Sequence, residues 1–283
     1  MQYGMGMLLW SDDVTGAEWS PLFARLRALG FDFVEVPVIR TDPQRFERLG
    51  RRLRELGLGT TAVTVLGPEQ HLIDADAAVR GAGLEHLRRA LDCARALGSP
   101  LLGGPIYAGL GVFSGAAPTV AEWQRAVDGL RAAAEHADGA GVTLAAEYLN
   151  RFEVYLVNCA ADLARLVRAV GHPRLRMTYD TFHAHIEEKD PAAAIRACAD
   201  VLEHVQASEN DRSTPGSGTV AWDATFAALA AAGYRGRLAI EAFGQKLPAL
   251  AAATRIWRPM FADEETLARQ GLAFLRARWE GTA

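Results

Sequence analysis

The chain has 283 residues, 50% of them hydrophobic, and its 34 acidic and 30 basic residues leave a net charge of −4. This length permits either two domains of ordinary size or one large α/β barrel. The basic residues form no run of the kind that attracts a nucleic-acid backbone, and the longest apolar stretches are too short to cross a membrane. These properties argue against a nucleic-acid-binding protein and against a membrane protein.

The cysteines and the amino terminus indicate the compartment. Cys93, Cys159 and Cys198 are odd in number and lie in helix-like contexts, so buried reduced thiols explain them better than disulfides or a thiolate metal site. The opening sequence MQYGMGMLLWSDD has no basic segment before its apolar stretch, and we interpret it as a first strand rather than a secretory signal. We therefore expect a cytoplasmic protein.

Short apolar runs alternate along the chain with longer segments in which apolar residues recur every three or four positions. The runs predict strands at 3–9, 31–37, 59–65, 100–105, 142–148, 175–181, 202–208 and 238–244. The longer segments predict helices at 21–30, 43–57, 82–98, 120–141, 160–171, 191–201, 222–234 and 263–279. Eight strands interleaved with eight helices favour an α/β fold with one closed (β/α)8 barrel domain over residues 1–283, and a doubly wound open sheet is the alternative.

Polar residues stand at the ends of several predicted strands, where the active site of such a barrel forms. They are Glu35, Glu147, Asp180, Gln206 and Glu241. Carboxylates that are brought together repel one another, so a divalent cation is the simplest partner that lets them stay ionised. Oxygen ligands of this kind suit Mg²⁺ or Mn²⁺. The alternative, for each acid taken alone, is that it caps a helix or pairs with an arginine.

Four stretches of the sequence resemble one enzyme family. They are EYLNRFEVYLVN (147–158), YDTFHAHIEEKD (179–190), ENDRSTPGSGTVAW (209–222) and IEAFG (240–244). These stretches are similar to the ketose 3-epimerases of D-tagatose, D-allulose (psicose) and L-ribulose, which have a xylose-isomerase-like TIM barrel. The resemblance implies epimerisation of a free ketose at C3 through an enediolate. It also implies a divalent metal cofactor, Mn²⁺, Mg²⁺ or Co²⁺, and a homodimer or homotetramer.

The resemblance assigns roles to individual residues. By this resemblance, the metal ligands are Glu147, Asp180, Gln206 and Glu241. The glutamates at 147 and 241 would also exchange the proton at C3, and His183, Arg212 and Glu153 would bind the hydroxyl and carbonyl oxygens of the substrate. Taken alone, Arg212 could instead neutralise an acid of its own loop, and His183 could cap a helix.

One position departs from the family pattern. Family members generally have His-x-His before the loop that carries the arginine, with the second histidine as the ligand, whereas this chain has His204, Val205 and Gln206. His204 and Gln206 point to the same side of a strand, and Gln206 lies nearer its carboxyl end. We therefore predict Gln206 as a ligand through its amide oxygen and His204 as a residue one layer deeper. If Gln206 only bonds to a neighbour, the metal would keep three carboxylates and water.

Aromatic side chains are candidates for the apolar surfaces of the protein. Trp10 and Phe113 are expected as pocket walls, although packing in the core explains either residue equally well. The segment 247–261 is apolar and aromatic, which makes it a candidate for the contact between subunits.

Three other functions stay open at this point. The His-x-Gln pattern also resembles hydroxypyruvate isomerase, which interconverts a small hydroxy-carbonyl acid. An abasic-site endonuclease shares the barrel but would need a histidine-rich zinc centre, and the 7 histidines of this chain lie mostly outside the strand-end motifs. A sugar-binding barrel without catalysis is the third, and the presence of both glutamates argues against it.

Overall fold

Parallel strands alternate with helices along the chain and close into a barrel. In the computed structural model, which describes residues 1–282, the strands pair in chain order and the eighth pairs with the first. The last residue of the predicted domain, 283, lies outside the described residues. The predicted (β/α)8 barrel is therefore confirmed, and an open sheet is excluded because both edge strands are paired.

The strands are β1 Gln2–Gly6, β2 Phe33–Pro37, β3 Gly59–Val63, β4 Leu101–Gly104, β5 Thr143–Glu147, β6 Leu175–Asp180, β7 Leu202–Ala207 and β8 Arg237–Ile240. The helices are α1 Ser20–Leu29, α2 Pro43–Glu55, α3 Ala77–Leu97, α4 Val120–Ala140, α5 Ala160–Val170, α6 Thr181–Glu187, α7 Pro191–Cys198, α8 Trp222–Ala231, α9 Pro248–Ala253 and α10 Glu264–Glu280. Each predicted strand and helix is present. The sequence pattern does not predict α6 and α9, because segments of 7 and 6 residues are too short to show a helical period.

The ends of the long helices are set by their flanking residues. The Asp76 side chain accepts a hydrogen bond from the Ala78 main-chain N–H and begins α3. Thr119 and Glu122 form a reciprocal capping box at the start of α4. Gly141 follows α4 with a φ of 69°, a left-handed conformation that glycine adopts without steric cost. Local sequence thus determines where the helices stop and the strands begin.

Phe33 closes the amino-terminal end of the barrel interior. A Cβ at Gly4 would overlap the Phe33 ring, so the glycine leaves the space that the ring occupies. His204 packs against the same ring edge-on, with the ring centroids 6.3 Å apart. Nearer the carboxyl ends of the strands the interior is polar, and Glu35 and Gln206 are both buried there. The polar site is therefore confined to one end of the barrel.

The ends of β1 and β2 differ from the prediction. β1 stops at Gly6 because the chain turns, and the Trp10 main-chain N–H donates to the Met7 carbonyl at 3.0 Å. β2 continues to Pro37, so Glu35 lies in the middle of its strand, between Gly6 of β1 and Thr61 of β3 in the register. The prediction that Glu35 ends its strand is therefore wrong, and its side chain belongs to the barrel interior.

No helix within residues 1–282 is long and apolar enough to span a membrane. The three cysteines are free thiols. Burial raises the pKa of Cys93 and of Cys198 to about 12 in each case, so neither thiol is a reactive thiolate at neutral pH.

Candidate active site

The carboxyl ends of four consecutive strands place the predicted metal ligands. Glu147 is the last residue of β5 and Asp180 the last of β6, while Gln206 is next to last in β7 and Glu241 directly follows β8. Their exposed fractions are 3%, 0%, 1% and 8% in that order. Buried acids at neighbouring strand ends need either protons or a cation to offset their charge.

An open cavity of about 110 Å³ lies at this end of the barrel. The ionisable side chains that line it are Glu147, Glu153, His183, Arg212 and Glu241. Its apolar lining includes Leu8, Ile39, Val63, Leu110, Leu149 and Phe243. A concave surface with a few convergent polar groups and apolar walls is typical of a site for a small molecule.

The two aromatic residues predicted as walls lie elsewhere. Trp10 is 9% exposed, packs in the core and borders a separate pocket with Trp19 and Lys246. From the turn that follows β1 it is Leu8, and not Trp10, that lines the central cavity. Phe113 is 47% exposed and lies on an adjoining outer pocket that shares Glu153 with the central cavity.

Arg212 connects the acids of β6 and β8. Its Nη1 donates to Asp180 Oδ2 at 2.9 Å and also to Glu241 Oε2. The guanidinium lies over the rings of Phe182 and Phe243, at 3.8 and 4.8 Å from their centroids. Although burial lowers it, the pKa of Arg212 is held above its ordinary value by Glu241 and Asp180. Arg212 is thus a permanent cation inside the site, and its ion pairs are with acids of other elements rather than with those of its own loop.

Glu209 holds the loop that carries Arg212, a role that the sequence analysis missed. The Glu209 side chain is fully buried, and its oxygens accept hydrogen bonds from the main-chain N–H groups of Asn210, Gly216 and Val220 and from Trp222 Nε1. Arg212 itself has a φ of 62°, which is uncommon for a residue other than glycine. An acid at the start of a loop rich in Ser, Thr, Gly and Pro is the sequence signal for such a role.

His183 presents a protonated nitrogen to the acids. Its Nδ1 accepts from the Asn150 main-chain N–H and from Asn150 Nδ2, both at 3.0 Å, while burial and Arg212 hold the pKa of His183 well below its ordinary value. A neutral imidazole whose Nδ1 accepts carries its proton on Nε2. Nε2 lies 3.5 Å from Glu147 Oε1 and 3.6 Å from Asp180 Oδ2, and Arg212 Nη2 lies 3.1 Å away. We assign the proton to Nε2 because Nδ1 faces two donors, one of them a main-chain N–H, whereas Nε2 faces one donor and two carboxylates.

Asn150 is a second residue that the sequence analysis missed. Its Nδ2 also donates to Glu153 Oε1 at 2.9 Å, and its Oδ1 accepts from the Phe152 main-chain N–H at 2.9 Å. The main-chain donor fixes which end of the amide is oxygen. Asn150 therefore orients both His183 and Glu153, and its position between two predicted site residues was the available signal.

The donor groups fit a divalent cation. Glu147, Asp180 and His183 each offer an atom within 4.8 Å of the others. Burial, followed by the charges of Glu241 and Asp180, raises the pKa of Glu147 well above its ordinary value. Burial raises the pKa of Glu241 in the same way, against the effect of Arg212. A bound cation would allow these carboxylates to stay ionised in a buried site.

Gln206 lies beside Glu241 and offers a further oxygen at this rim. Its Nε2 donates to Glu35 Oε1 at 2.9 Å and to Glu241 Oε1 at 3.1 Å. Its Oε1 is buried and has no hydrogen-bond partner among residues 1–282. A buried carbonyl oxygen without a partner is costly, and coordination of a cation would satisfy it. Since Nε2 of His183 carries a proton, the Gln206 oxygen is the better ligand of the two.

The comparisons with known proteins agree with the geometry. The model of the xylose isomerase-like TIM barrel family matches residues 23–278. An L-ribulose 3-epimerase from Mesorhizobium japonicum is 34% identical to the chain, over 96% of this chain and 92% of its own length.

Two solved structures are similar over almost their whole length. One L-ribulose 3-epimerase covers 100% of this chain and 96% of its own, with a TM-score of 0.94 and 34% identity. A D-allulose 3-epimerase from Methylomonas sp., in complex with D-allulose, covers 98% and 97% respectively, with a TM-score of 0.91 and 29% identity. The chain belongs to the xylose isomerase-like TIM barrel family and, within it, to the ketose 3-epimerases, which are isomerases.

Proposed function

We propose that the protein is a metal-dependent ketose 3-epimerase that removes the proton at C3 of a free ketose and returns one to the opposite face through an enediolate. The observation that carries this proposal is the pair Glu147 and Glu241. Both are buried, both line one cavity, and they come from strands three places apart around the barrel. Relatives named L-ribulose 3-epimerase and D-psicose 3-epimerase support the same activity.

The two glutamates suit a proton exchange between opposite faces of a substrate. One carboxylate, ionised, takes the C3 proton, and the other, protonated, delivers its own proton to the other face. Burial raises the pKa of both groups, which is the direction that favours a carboxyl able to carry the exchanged proton. In each turnover one glutamate gains a proton and the other loses one, so the protein keeps the same number of protons. In the reverse reaction the two glutamates exchange roles.

The remaining polar groups bind and orient the sugar oxygens. His183 Nε2–H and the Arg212 guanidinium are donors, and the Glu153 carboxylate accepts from a hydroxyl group. We propose Glu147, Asp180, Gln206 and Glu241 as the residues that hold Mn²⁺, Mg²⁺ or Co²⁺. When bound, such a cation polarises the C2 carbonyl and lowers the cost of removing the proton at C3.

Substitutions at Gln206 test its part in holding the cation. We expect Gln206→Leu to weaken Mn²⁺ binding at least about tenfold, because an oxygen ligand is lost. Gln206→His should retain a metal and bind Co²⁺ more tightly relative to Mg²⁺, because imidazole is the softer ligand. Isothermal titration calorimetry measures both effects.

The control is Thr178→Val, a near-isosteric change at a buried hydroxyl that has no partner among the described residues. It should leave Mn²⁺ affinity unchanged. Equal affinity of the wild type and Gln206→Leu would remove Gln206 from the ligand set.

A product assay separates the proposed activity from its nearest alternative. D-fructose, D-tagatose, L-ribulose and hydroxypyruvate are each incubated with the Mn²⁺-loaded protein, and the products are separated by chromatography. We expect C3 epimers from at least one ketose and no conversion of hydroxypyruvate. Conversion of hydroxypyruvate without epimerisation of any ketose would replace the proposal with the isomerase that the His-x-Gln pattern resembles.

We also propose that copies of the chain associate in the cytoplasm as a dimer or tetramer. The three free thiols suit a reducing compartment. Trp257, in the segment 247–261, is 67% exposed, which supports this segment as a contact surface. Light scattering of the purified protein gives the mass that decides the assembly, and a monomer would contradict it.

A further inference from the structure

The two ends of the Gln206 amide have different surroundings. Its nitrogen donates to two carboxylates, Glu35 and Glu241, which use both of its N–H groups. Its oxygen is buried and has no partner among the residues that the structure describes. Only the oxygen can coordinate a cation, because an amide nitrogen has no lone pair to offer. The orientation of the amide therefore decides whether Gln206 is a ligand at all.

Glu35 is the fixed member of the two carboxylates. Its Oε2 accepts from His204 Nε2 at 2.9 Å and from Thr61 Oγ1 at 3.1 Å, and its Oε1 accepts from Gln206. The side chain is 1% exposed, and His204 is itself held against the Phe33 ring. With both oxygens engaged by protein donors, Glu35 has little freedom to turn towards the cavity.

A carboxylate in this place accepts hydrogen bonds and donates none. If the Gln206 amide rotated by half a turn, its oxygen would face the Glu35 carboxylate, and the N–H groups would lose an acceptor. Glu35 therefore favours one of the two orientations, the one that leaves the oxygen free. Glu241 orients the amide less strictly than Glu35 does, because Glu241 also accepts a hydrogen bond from Arg212.

We propose that Glu35, held by His204 and Thr61, is a positioning residue that fixes the Gln206 amide with its oxygen free for the cation. This inference rests on the proposed function, from which it takes the binding of a divalent cation at this site. Glu35 does not touch the cation or the substrate, and its effect passes through Gln206. A histidine at position 206 would offer no choice between an oxygen and a nitrogen. Glu35 can therefore have this positioning role only beside a glutamine, which is the residue that this chain has at position 206.

The test is a double-mutant cycle on Mn²⁺ affinity, measured by calorimetry and by electron paramagnetic resonance of free Mn²⁺. Glu35→Gln places an amide opposite Gln206 that can offer either end, so the orientation is no longer enforced. We expect this variant to bind Mn²⁺ at least about tenfold more weakly than the wild type, the usual effect of losing a residue that orients a ligand. The control is again Thr178→Val, whose hydroxyl has no partner among the described residues and should leave the affinity unchanged.

The same Glu35→Gln change is then made in Gln206→Leu. There it should weaken Mn²⁺ binding by less than about threefold, because the group on which Glu35 acts is gone. An equal loss in both backgrounds would mean that Glu35 acts by its charge alone and would overturn the positioning role. Wild-type protein that binds Mn²⁺ and epimerises a ketose would leave the proposed function standing in that case.

A measurement on the wild-type protein does not depend on the folding of any variant. Nuclear magnetic resonance of ¹⁵N- and ¹³C-labelled protein follows the Gln206 side chain as Mg²⁺ is added. We expect slow hydrogen exchange of both amide protons before and after addition, with a shift of the side-chain carbonyl carbon on binding. Amide protons that exchange as fast as those of an exposed glutamine would contradict the proposed orientation.

Discussion

We expect the Glu241→Gln variant to epimerise a ketose at C3 at least about a hundredfold more slowly than the wild-type protein. Glutamine keeps the size of the side chain and an oxygen for the cation, but it neither accepts nor releases the C3 proton. The loss should therefore appear in kcat, while KM and Mn²⁺ affinity change less. Steady-state kinetics give kcat and KM, and a titration of the metal-free variant with Mn²⁺ gives the Mn²⁺ affinity.

A second measurement on the same variant distinguishes the two glutamates. In D₂O, Glu147 should still exchange the C3 hydrogen of the epimer whose hydrogen faces it, although the epimerisation is slow. The control is Glu203→Gln on β7, the same substitution at a half-buried residue that does not line the cavity. A near-native rate for Glu241→Gln, or exchange lost from both epimers, would show that the division of roles is wrong.

Removal of the metal should lower turnover to less than about 1% of the loaded protein, because the cation stabilises negative charge by several kcal/mol. Dialysis against EDTA followed by addition of Mn²⁺, Co²⁺ or Mg²⁺ should remove and restore the activity. The measurement is the initial rate, with elemental analysis of the dialysed sample. Full turnover by a sample without metal would contradict metal dependence.

Metal binding should also release protons. Burial raises the pKa of Glu147 and of Glu241, so without a cation these carboxyls hold protons to a higher pH than usual. A bound cation favours the ionised forms, so the two carboxyls together hold fewer protons, and the difference is released. Calorimetric titration with Mn²⁺ in buffers of different ionisation enthalpy gives their number. No release at neutral pH would indicate that the acids are already ionised.

The acids of the site could be predicted because of where they stand along the chain. Glu147 and Asp180 each end an apolar run, and a closed parallel barrel brings all strand ends to one rim. The depth of Glu35 could not be predicted in this way. Its partner His204 is 169 residues away, and the two meet inside the barrel. That contact depends on the stagger between strands, which an alternating pattern does not specify.

Local turns account for the other differences between prediction and structure. Trp10 is apolar and follows a strand, as a pocket wall would. However, the chain forms a turn there, with the N–H groups of Trp10 and Ser11 donating to the Met7 carbonyl, and Leu8 is the residue of this turn that lines the cavity. The Glu209 side chain accepts mainly from main-chain N–H groups of its own loop. The Asn150 side chain instead donates to the side chains of Glu153 and His183. A motif shows that such residues are present, but the backbone path decides what they bind.

The lining of the cavity divides along the chain. Among the described lining residues, every ionisable group comes from β5 onwards, whereas the first half of the barrel contributes Leu8, Ile39, Val63, Thr64, Val65, Pro105 and Leu110. The second half also contributes Leu149, Phe243, Leu250 and Thr254, so the walls come from both halves while the acids of the cavity come from one. Substitutions of these first-half wall residues can therefore alter which sugar fits while every acid of the cavity lining stays in place.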